Sequence, residues 1–252
     1  MNSLPALLTN AQAASYRALK RSKYRRLEGL FLLEGARLCE EALHSDLDIV
    51  ACITSKNFEK ISIPPGVKHF EASPVQIEQI SDSKSPQGII CIARIPDNPK
   101  KPDVGSTKLL LVLDRISDPG NMGTIFRSAL WFGIEDILLG PECVDPYSPK
   151  VVRGSMGAIG TLNINTSSDL CESAREWQSA GGQVAALHMQ GTAIHTFIQE
   201  KPLFLVVGSE AHGVEPELLN LSVPISIEKP GAGESLNAAM ATGIALFELS
   251  KV

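Results

Sequence analysis

Short unbroken apolar runs separated by polar, glycine-bearing turns dominate the second half of the chain, and a less regular alternation fills the first. The run LLLVL at 109–113 has the length of a buried strand, and the turn DPGN at 118–121 leads into a helix ending near 132. The same reading gives strands at 136–139, 162–165, 184–187, 203–207 and 223–227. Helices fall at 149–156, 168–179, 216–219 and 236–249. Apolar strands alternating with helices predict a mostly parallel sheet covered on both faces. The first half reads as helix 11–26, strand 31–33, helix 36–43, strand 49–54, a helix opened by Ser73-Pro74, and strand 88–93. Between the halves, IPDNPKKPDVGST at 95–107 combines three prolines with glycine and polar residues, which makes a linker. The expected organisation is therefore α/β throughout, with one domain at 1–95, a linker at 96–107 and a second domain at 108–252.

Composition alters this picture little. No apolar stretch approaches the roughly 20 residues of a membrane span, and the N-terminus lacks the basic and apolar regions of a secretory signal. The five cysteines include no CxxC pair, and the histidines form no HExxH. Reduced thiols, a cytoplasmic location and no metal site are expected.

Charge changes it more. The net charge of −5 argues against a nucleic-acid partner, but the acidic excess sits beyond residue 107. Arg17, Lys20, Arg21, Lys23, Arg25 and Arg26 crowd into one acid-free stretch near the N-terminus. Such a block suits phosphate binding, and on composition alone a solvated helix face is as good a reading.

Candidate chemistry gathers at three loops that follow strands of the second domain, the end at which open α/β sheets bind ligands. They span 114–133, 206–219 and 225–249. Taken singly, each has a plain explanation. Asn121 fits a turn or helix cap, Gly208 and Gly213 fit turn glycines, and Ser235 fits a cap of the last helix. A nicotinamide fingerprint is incomplete, because Gly231-Ala-Gly233 is followed by Leu236 where a third glycine is needed.

Taken together and in order, the three loops resemble the three motifs of the SpoU (TrmH-like) family of the SPOUT methyltransferases. Asn121-Met-Gly-Thr-Ile-Phe-Arg127-Ser-Ala is similar to the first motif, Val207-Gly208-Ser209-Glu210 through Gly213 to the second, and Ser235-Leu236-Asn237 opening a small-residue helix to the third. The basic block, followed by Phe31-Leu-Leu-Glu34-Gly35-Ala-Arg37, resembles that family's L30e-like RNA-recognition domain. The sequence departs from the family at Glu228-Lys229, where many members carry Pro-Met after the isoleucine.

The resemblance implies transfer of a methyl group from S-adenosylmethionine to a ribose 2′-hydroxyl of RNA, ribosomal RNA ahead of tRNA. It also implies a deep trefoil knot in the second domain and a homodimer built on the first- and third-motif helices. Gly208, Ile227 and Leu236 would hold the cofactor through backbone groups. Arg127 would be the main catalytic group, with Asn121, Ser235 and Asn237 orienting it or the ribose and Glu210 supporting the loop. Because an arginine stays protonated, electrostatic stabilisation suits Arg127 better than a role as base. Arg17, Lys20, Arg21, Lys23 and Arg25 would contact RNA. A non-catalytic RNA-binding protein on the same scaffold is the alternative from another class.

Overall fold

The computed structural model describes residues 4–58, 61–97 and 99–251. In chain order the first elements are β1 (Ala6–Leu7), α1 (Asn10–Ala18), α2 (Ser22–Glu28), β2 (Leu30–Glu34), α3 (Ala36–Leu43), β3 (Ile49–Ser55), β4 (Lys68–Ala72), α4 (Pro74–Ile80) and β5 (Ile89–Arg94). There follow β6 (Leu109–Asp114), α5 (Pro119–Trp131), β7 (Asp136–Leu139), α6 (Pro149–Gly154), β8 (Asn163–Thr166), α7 (Leu170–Ser179), β9 (Gln183–Ala193), β10 (Leu203–Gly208), α8 (Pro216–Asn220), β11 (Val223–Ser226) and α9 (Ala238–Leu249). The described residues form two compact units, 4–97 with 145–161 and 99–144 with 162–251.

The first unit is a five-stranded mixed sheet in the order β1-β4-β3-β5-β2. β3 pairs parallel to β4, and β5 runs antiparallel to both β3 and β2. Leu32, Ile53, Phe70, Ile77, Ile90 and Ile92 are buried together in one core cluster. The helix expected over 11–26 is two helices. A Thr9 capping box opens α1, with Gln12 N donating to Thr9 Oγ1 at 3.2 Å. The chain then breaks at Leu19–Arg21. The buried Arg25 guanidinium donates through Nη1 to the carbonyls of Leu19 (2.8 Å) and Lys20 (2.9 Å), which a continuous helix would have satisfied itself. Arg25 Nε and Nη2 donate to Asp145 Oδ2 at 3.1 and 2.6 Å. This pair helps fasten the 145–161 segment to the unit, with α6 lying against β2 and the Tyr147 ring 5.0 Å from that of Phe31. Burial, with Asp145 adding to it, pushes the Tyr147 phenol up to about 12.

The second unit is a six-stranded sheet in the order β11-β9-β10-β6-β7-β8, parallel at every pairing. Its central strands β6 and β10 are apolar on both faces because both faces are covered. Leu110, Val112, Phe204 and Val206 pack with Leu170 and Trp177 of α7 on one side, and the alternate residues Leu111, Leu113 and Leu205 are equally buried on the other. Fully burying one such side chain stabilises by roughly 1.5–3 kcal/mol. Pro224 is tolerated because β11 is an edge strand. From β6 the chain steps outward to β7 and β8, then crosses back to β9 and β10, so β6 and β10 are neighbours across a reversal of strand order. A crevice outside the carboxyl ends of the strands is expected at such a reversal. Part of the expected linker is pinned to this unit, since Asn163 Nδ2 donates to the Lys100 carbonyl at 2.7 Å and Thr107 Oγ1 to Asp136 at 2.8 Å.

Candidate active site

The expected crevice falls where β6 and β10 end together, with Gly208 opposite Asp114 in the parallel register. After β6, Asp118 caps α5 by accepting from Asn121 N at 2.8 Å, and Pro119 takes the first helical position. That cap sets the Asn121 side chain on the first turn. After β11 the chain runs without regular structure from 227 to 237, where Asn237 caps α9 by accepting from Ala239 N (3.0 Å) and Met240 N (3.2 Å).

Glu210, from the loop after β10, ties the two helix starts together. Its Oε1 accepts from Asn121 Nδ2 at 3.0 Å, from Ala238 N at 3.0 Å, and from Asn237 Nδ2. Asn237 Nδ2 also donates to Asn121 Oδ1 at 2.9 Å. One carboxylate thus faces the positive ends of α5 and α9, a favourable electrostatic position. Three separate loops of the sequence meet at one oxygen.

The loop carrying Glu210 is held from beneath. Gly208 admits no side chain, because a Cβ there would lie 2.2 Å from the Gly213 carbonyl carbon and 2.3 Å from Val214 N. Gly213 closes the turn with φ +65°, and its N–H donates to the Ser209 carbonyl at 2.9 Å. Asp114, buried at the end of β6, accepts from Glu215 N at 2.8 Å and from Arg115 Nε at 3.1 Å. Arg115 sits at φ +55°, an uncommon conformation for a side-chain-bearing residue, and its Nη2 reaches the Gly213 carbonyl at 3.4 Å. Sequence reasoning missed Asp114, Arg115 and Asp118. The available signal was a carboxylate ending an otherwise apolar run. Beside them the Cys143 thiol donates to the Leu113 carbonyl at 3.2 Å, and burial pushes its pKa up.

The other expected residues are placed differently. Arg127 lies on α5, exposed, on one stripe with Thr124 and Trp131, and forms no salt bridge among the described residues. It is not paired with Glu210, whose Oε1 is taken by Asn121, Asn237 and Ala238 N. Ser235 and Leu236 are exposed and Ile227 is half-buried, all in the irregular segment before α9. Glu228, at the departure from the family pattern, has its carboxylate 3.5 Å from His195 Nδ1. In the first unit Arg17, Arg21 and Lys23 are exposed and Lys20 is half-buried. Arg25 differs from the expectation of an RNA contact, because its guanidinium is only 3% exposed and wholly engaged with Asp145 and two carbonyls. Among the described residues no group of three or more His, Cys, Asp or Glu side chains could hold a metal ion, and no helix is long and apolar enough to cross a membrane.

A parallel α/β sheet whose strand-order reversal carries glycine-shaped loops, joined through one carboxylate, defines a ligand-binding α/β domain of the kind that accommodates nucleoside-bearing cofactors. Residues 108–247 match the SpoU rRNA Methylase family, and residues 10–91 match the MRM3-like substrate binding domain. The chain belongs to the SpoU rRNA methylase family. It is 29% identical to the 23S rRNA (guanosine(2553)-2′-O)-methyltransferase RlmP of Bacillus subtilis, over 95% of this chain and 96% of that one. It is 31% identical to the mitochondrial rRNA methyltransferase 3 of Xenopus laevis, over 91% of this chain and 71% of that one. Among solved structures, the AdoMet-bound rRNA methyltransferase from Sinorhizobium meliloti superposes with a TM-score of 0.86 at 31% identity, covering 98% of this chain and 96% of that one.

Proposed function

We propose that this protein transfers a methyl group from S-adenosylmethionine to a ribose 2′-hydroxyl of ribosomal RNA. The observation that carries the reading is the meeting of Asn121, Asn237 and the α9 backbone on Glu210, at a crevice whose loop permits no side chain at position 208. Its relatives are named as rRNA methyltransferases, one of them for 2′-O transfer. When bound, S-adenosylmethionine supplies the methyl group that ends on the ribose oxygen. The residues present fit such a guest: Gly208, whose missing Cβ lets the 213–214 backbone close against it and fix the loop, and Ile227 and Leu236 in the segment before α9 offer main-chain groups. These three would hold the cofactor.

The chain itself must align the ribose oxygen and stabilise the charge it develops as the proton leaves. Arg127, permanently cationic, stabilises that charge. Asn121, Ser235 and Asn237 position the ribose, and Glu210 holds both asparagines in place. Exposed Arg17, Arg21 and Lys23 and half-buried Lys20 supply phosphate contacts, with Arg25 serving the fold. The 2′-hydroxyl is also what marks the substrate as RNA.

Three structural readings accompany this function. The first unit, whose core is the expected 1–95 domain, has an L30e-like fold, in keeping with its mixed five-stranded sheet. The second unit, residues 99–144 with 162–251, follows a trefoil-knotted path, as membership of the family implies. The enzyme is a homodimer, because α5 and α9 carry Trp131, Met240 and Phe247 at 83%, 59% and 50% exposure, an apolar face that a second copy would cover. Arg127 shares the α5 stripe with Trp131, so pairing would bring it against the partner.

Incubation of the purified protein with ribosomal RNA and methyl-labelled S-adenosylmethionine tests the reading. Label retained in a nuclease-resistant 2′-O-methylated dinucleotide is the expected result, with loss of transfer but near-normal cofactor affinity in Arg127→Ala. Label in a base, or none, would overturn it.

A further inference from the structure

The segment between β11 and α9 has two ends, and only one of them belongs to the cluster on Glu210. Residues 228–237 are irregular and exposed throughout. At the α9 end, Asn237 is bound to Asn121 and Glu210. At the β11 end the chain leaves the sheet through Ile227 and Glu228, where the sequence also departs from the family pattern.

β11 pairs with β9 in two stretches. Val223 and Pro224 lie opposite Ala185 and Ala186, and Ile225 and Ser226 lie opposite Thr192 and Ala193, so residues 187–191 leave the ladder between them. The second stretch is held tightly. Gly191 lets the neighbouring strand in so closely that a Cβ there would lie 2.6 Å from the Pro224 carbonyl carbon. Ser226 Oγ donates to the Gly191 carbonyl at 2.9 Å, and Ile225 and Ile194 are buried. Two residues beyond the last pair on each chain stand Glu228 and His195. Their side chains meet, with Glu228 Oε2 3.5 Å from His195 Nδ1.

This contact is an ion pair only when the imidazole is protonated. Other charge near His195 is sparse. α9 packs against residues 194–196, and its one ionisable side chain, Glu248, is held by Lys251 at 2.8 Å. β11 carries no ionisable side chain. On β9 the other such group is His188, whose Nδ1 accepts from Gln190 N at 3.1 Å. Lys229, beside Glu228, and Glu200 and Lys201, further along from His195, form no salt bridge among the described residues. With side chains 51% and 69% exposed, the His195–Glu228 pair contributes little to the stability of the whole chain. Its influence is local, at the point where strand pairing ends and the free segment begins.

We propose that His195 and Glu228 position the cofactor segment, closing as an ion pair when His195 is protonated and so fixing the Ile227 backbone for S-adenosylmethionine. Both act through Ile227. Ordering a mobile segment is part of the cost of binding a ligand, and the ion pair offsets some of it in advance. Affinity is therefore greater with His195 charged and falls as pH rises through the histidine range. The effect is bounded by what an exposed pair contributes, a factor of about three. The inference rests on S-adenosylmethionine being the ligand of this segment, and adds a pH dependence that the methyl-transfer reading alone does not require.

Calorimetry of the full-length protein with S-adenosylmethionine at about pH 6 and about pH 8.5 brackets the titration of a histidine. The cofactor's own amino group titrates in the same range, but wild type and variants share it, so comparison among them removes it. His195→Gln and Glu228→Gln should each bind about threefold more weakly than wild type at the lower pH, and equally well at the higher. The double variant should be no weaker than either single one, and melting temperatures should not change. Equal losses at both pH values, losses that add in the double variant, or wild-type affinity in both variants at the lower pH overturn the latch and leave the cofactor reading standing. A wild type that binds no S-adenosylmethionine at either pH overturns the cofactor reading with it.

Discussion

Replacing Glu210 by alanine removes the one atom on which three loops converge. Its Oε1 accepts from Asn121 Nδ2, Asn237 Nδ2 and Ala238 N. Hydrogen bonds to a charged acceptor contribute about 1.5–3 kcal/mol each when enclosed. Here Glu210, Asn237 and half-buried Asn121 are open to water, so each is discounted to about 1 kcal/mol at most. The loss of local order is then about 3 kcal/mol, a rate or affinity change of about 100-fold at 1.4 kcal/mol per decade. At roughly 2–4 °C per kcal/mol for a chain of this size, the melting temperature should fall by at most about 6–12 °C. Glu210→Gln keeps an acceptor oxygen and gives up the charge opposite two helix starts, so about tenfold is expected. Methyl transfer under kcat/KM conditions, read beside thermal melting, checks both. Near-wild-type turnover in Glu210→Ala would refute the role of the cluster. A collapse in melting temperature matching the lost activity would make Glu210 a general stability residue instead.

Four further outcomes are expected. Asp114→Ala strands the Arg115 guanidinium and Glu215 N at the base of the cofactor loop. It should weaken S-adenosylmethionine binding by at least tenfold in calorimetry, while a Glu248→Ala control on the far end of α9 leaves it unchanged. Reversing charge at Arg17, Arg21 and Lys23 should lower the log–log salt slope of RNA binding by somewhat under one unit per residue. Arg25→Ala should instead cost about 3–5 kcal/mol of stability through the broken buried pair with Asp145, read by denaturant unfolding. A fragment starting at residue 107 carries the 145–161 segment without the strand that α6 packs on, leaving Pro149, Val151 and Val152 uncovered. It should bind an apolar dye strongly, and deletion of 145–161 in favour of a short polar linker should reverse this.

The second unit was legible because its central strands β6, β7 and β10 carry short apolar runs between turns, and β7 and α5 fall where the pattern puts them. β4 was not. Its sequence Lys68-His-Phe-Glu-Ala buries only Phe70 and Ala72, too few for a visible alternation. The break between α1 and α2 was hidden because Arg25 reads as one more basic residue, and only its burial shows it bonding the chain's own carbonyls. The sequence also placed a helix at 149–156 without saying which surface α6 would cover. At the site, Asn121, Glu210 and Asn237 were found as motif residues, but their convergence on one oxygen is a long-range fact. Asp114 and Arg115 were missed because a strand-ending acid and a basic neighbour are ordinary in sequence. What distinguishes them is a buried carboxylate and a positive φ, both of which need coordinates.

The central claim is the chemistry at the ribose. Ribosomal RNA from cells with and without this gene, mapped for 2′-O-methylation by resistance to alkaline cleavage, tests it most directly. The account predicts one protected position that disappears with the gene, returns with the wild-type protein, and fails to return with Arg127→Ala. An unchanged protection map, or a lost base methylation in place of a ribose one, would contradict it.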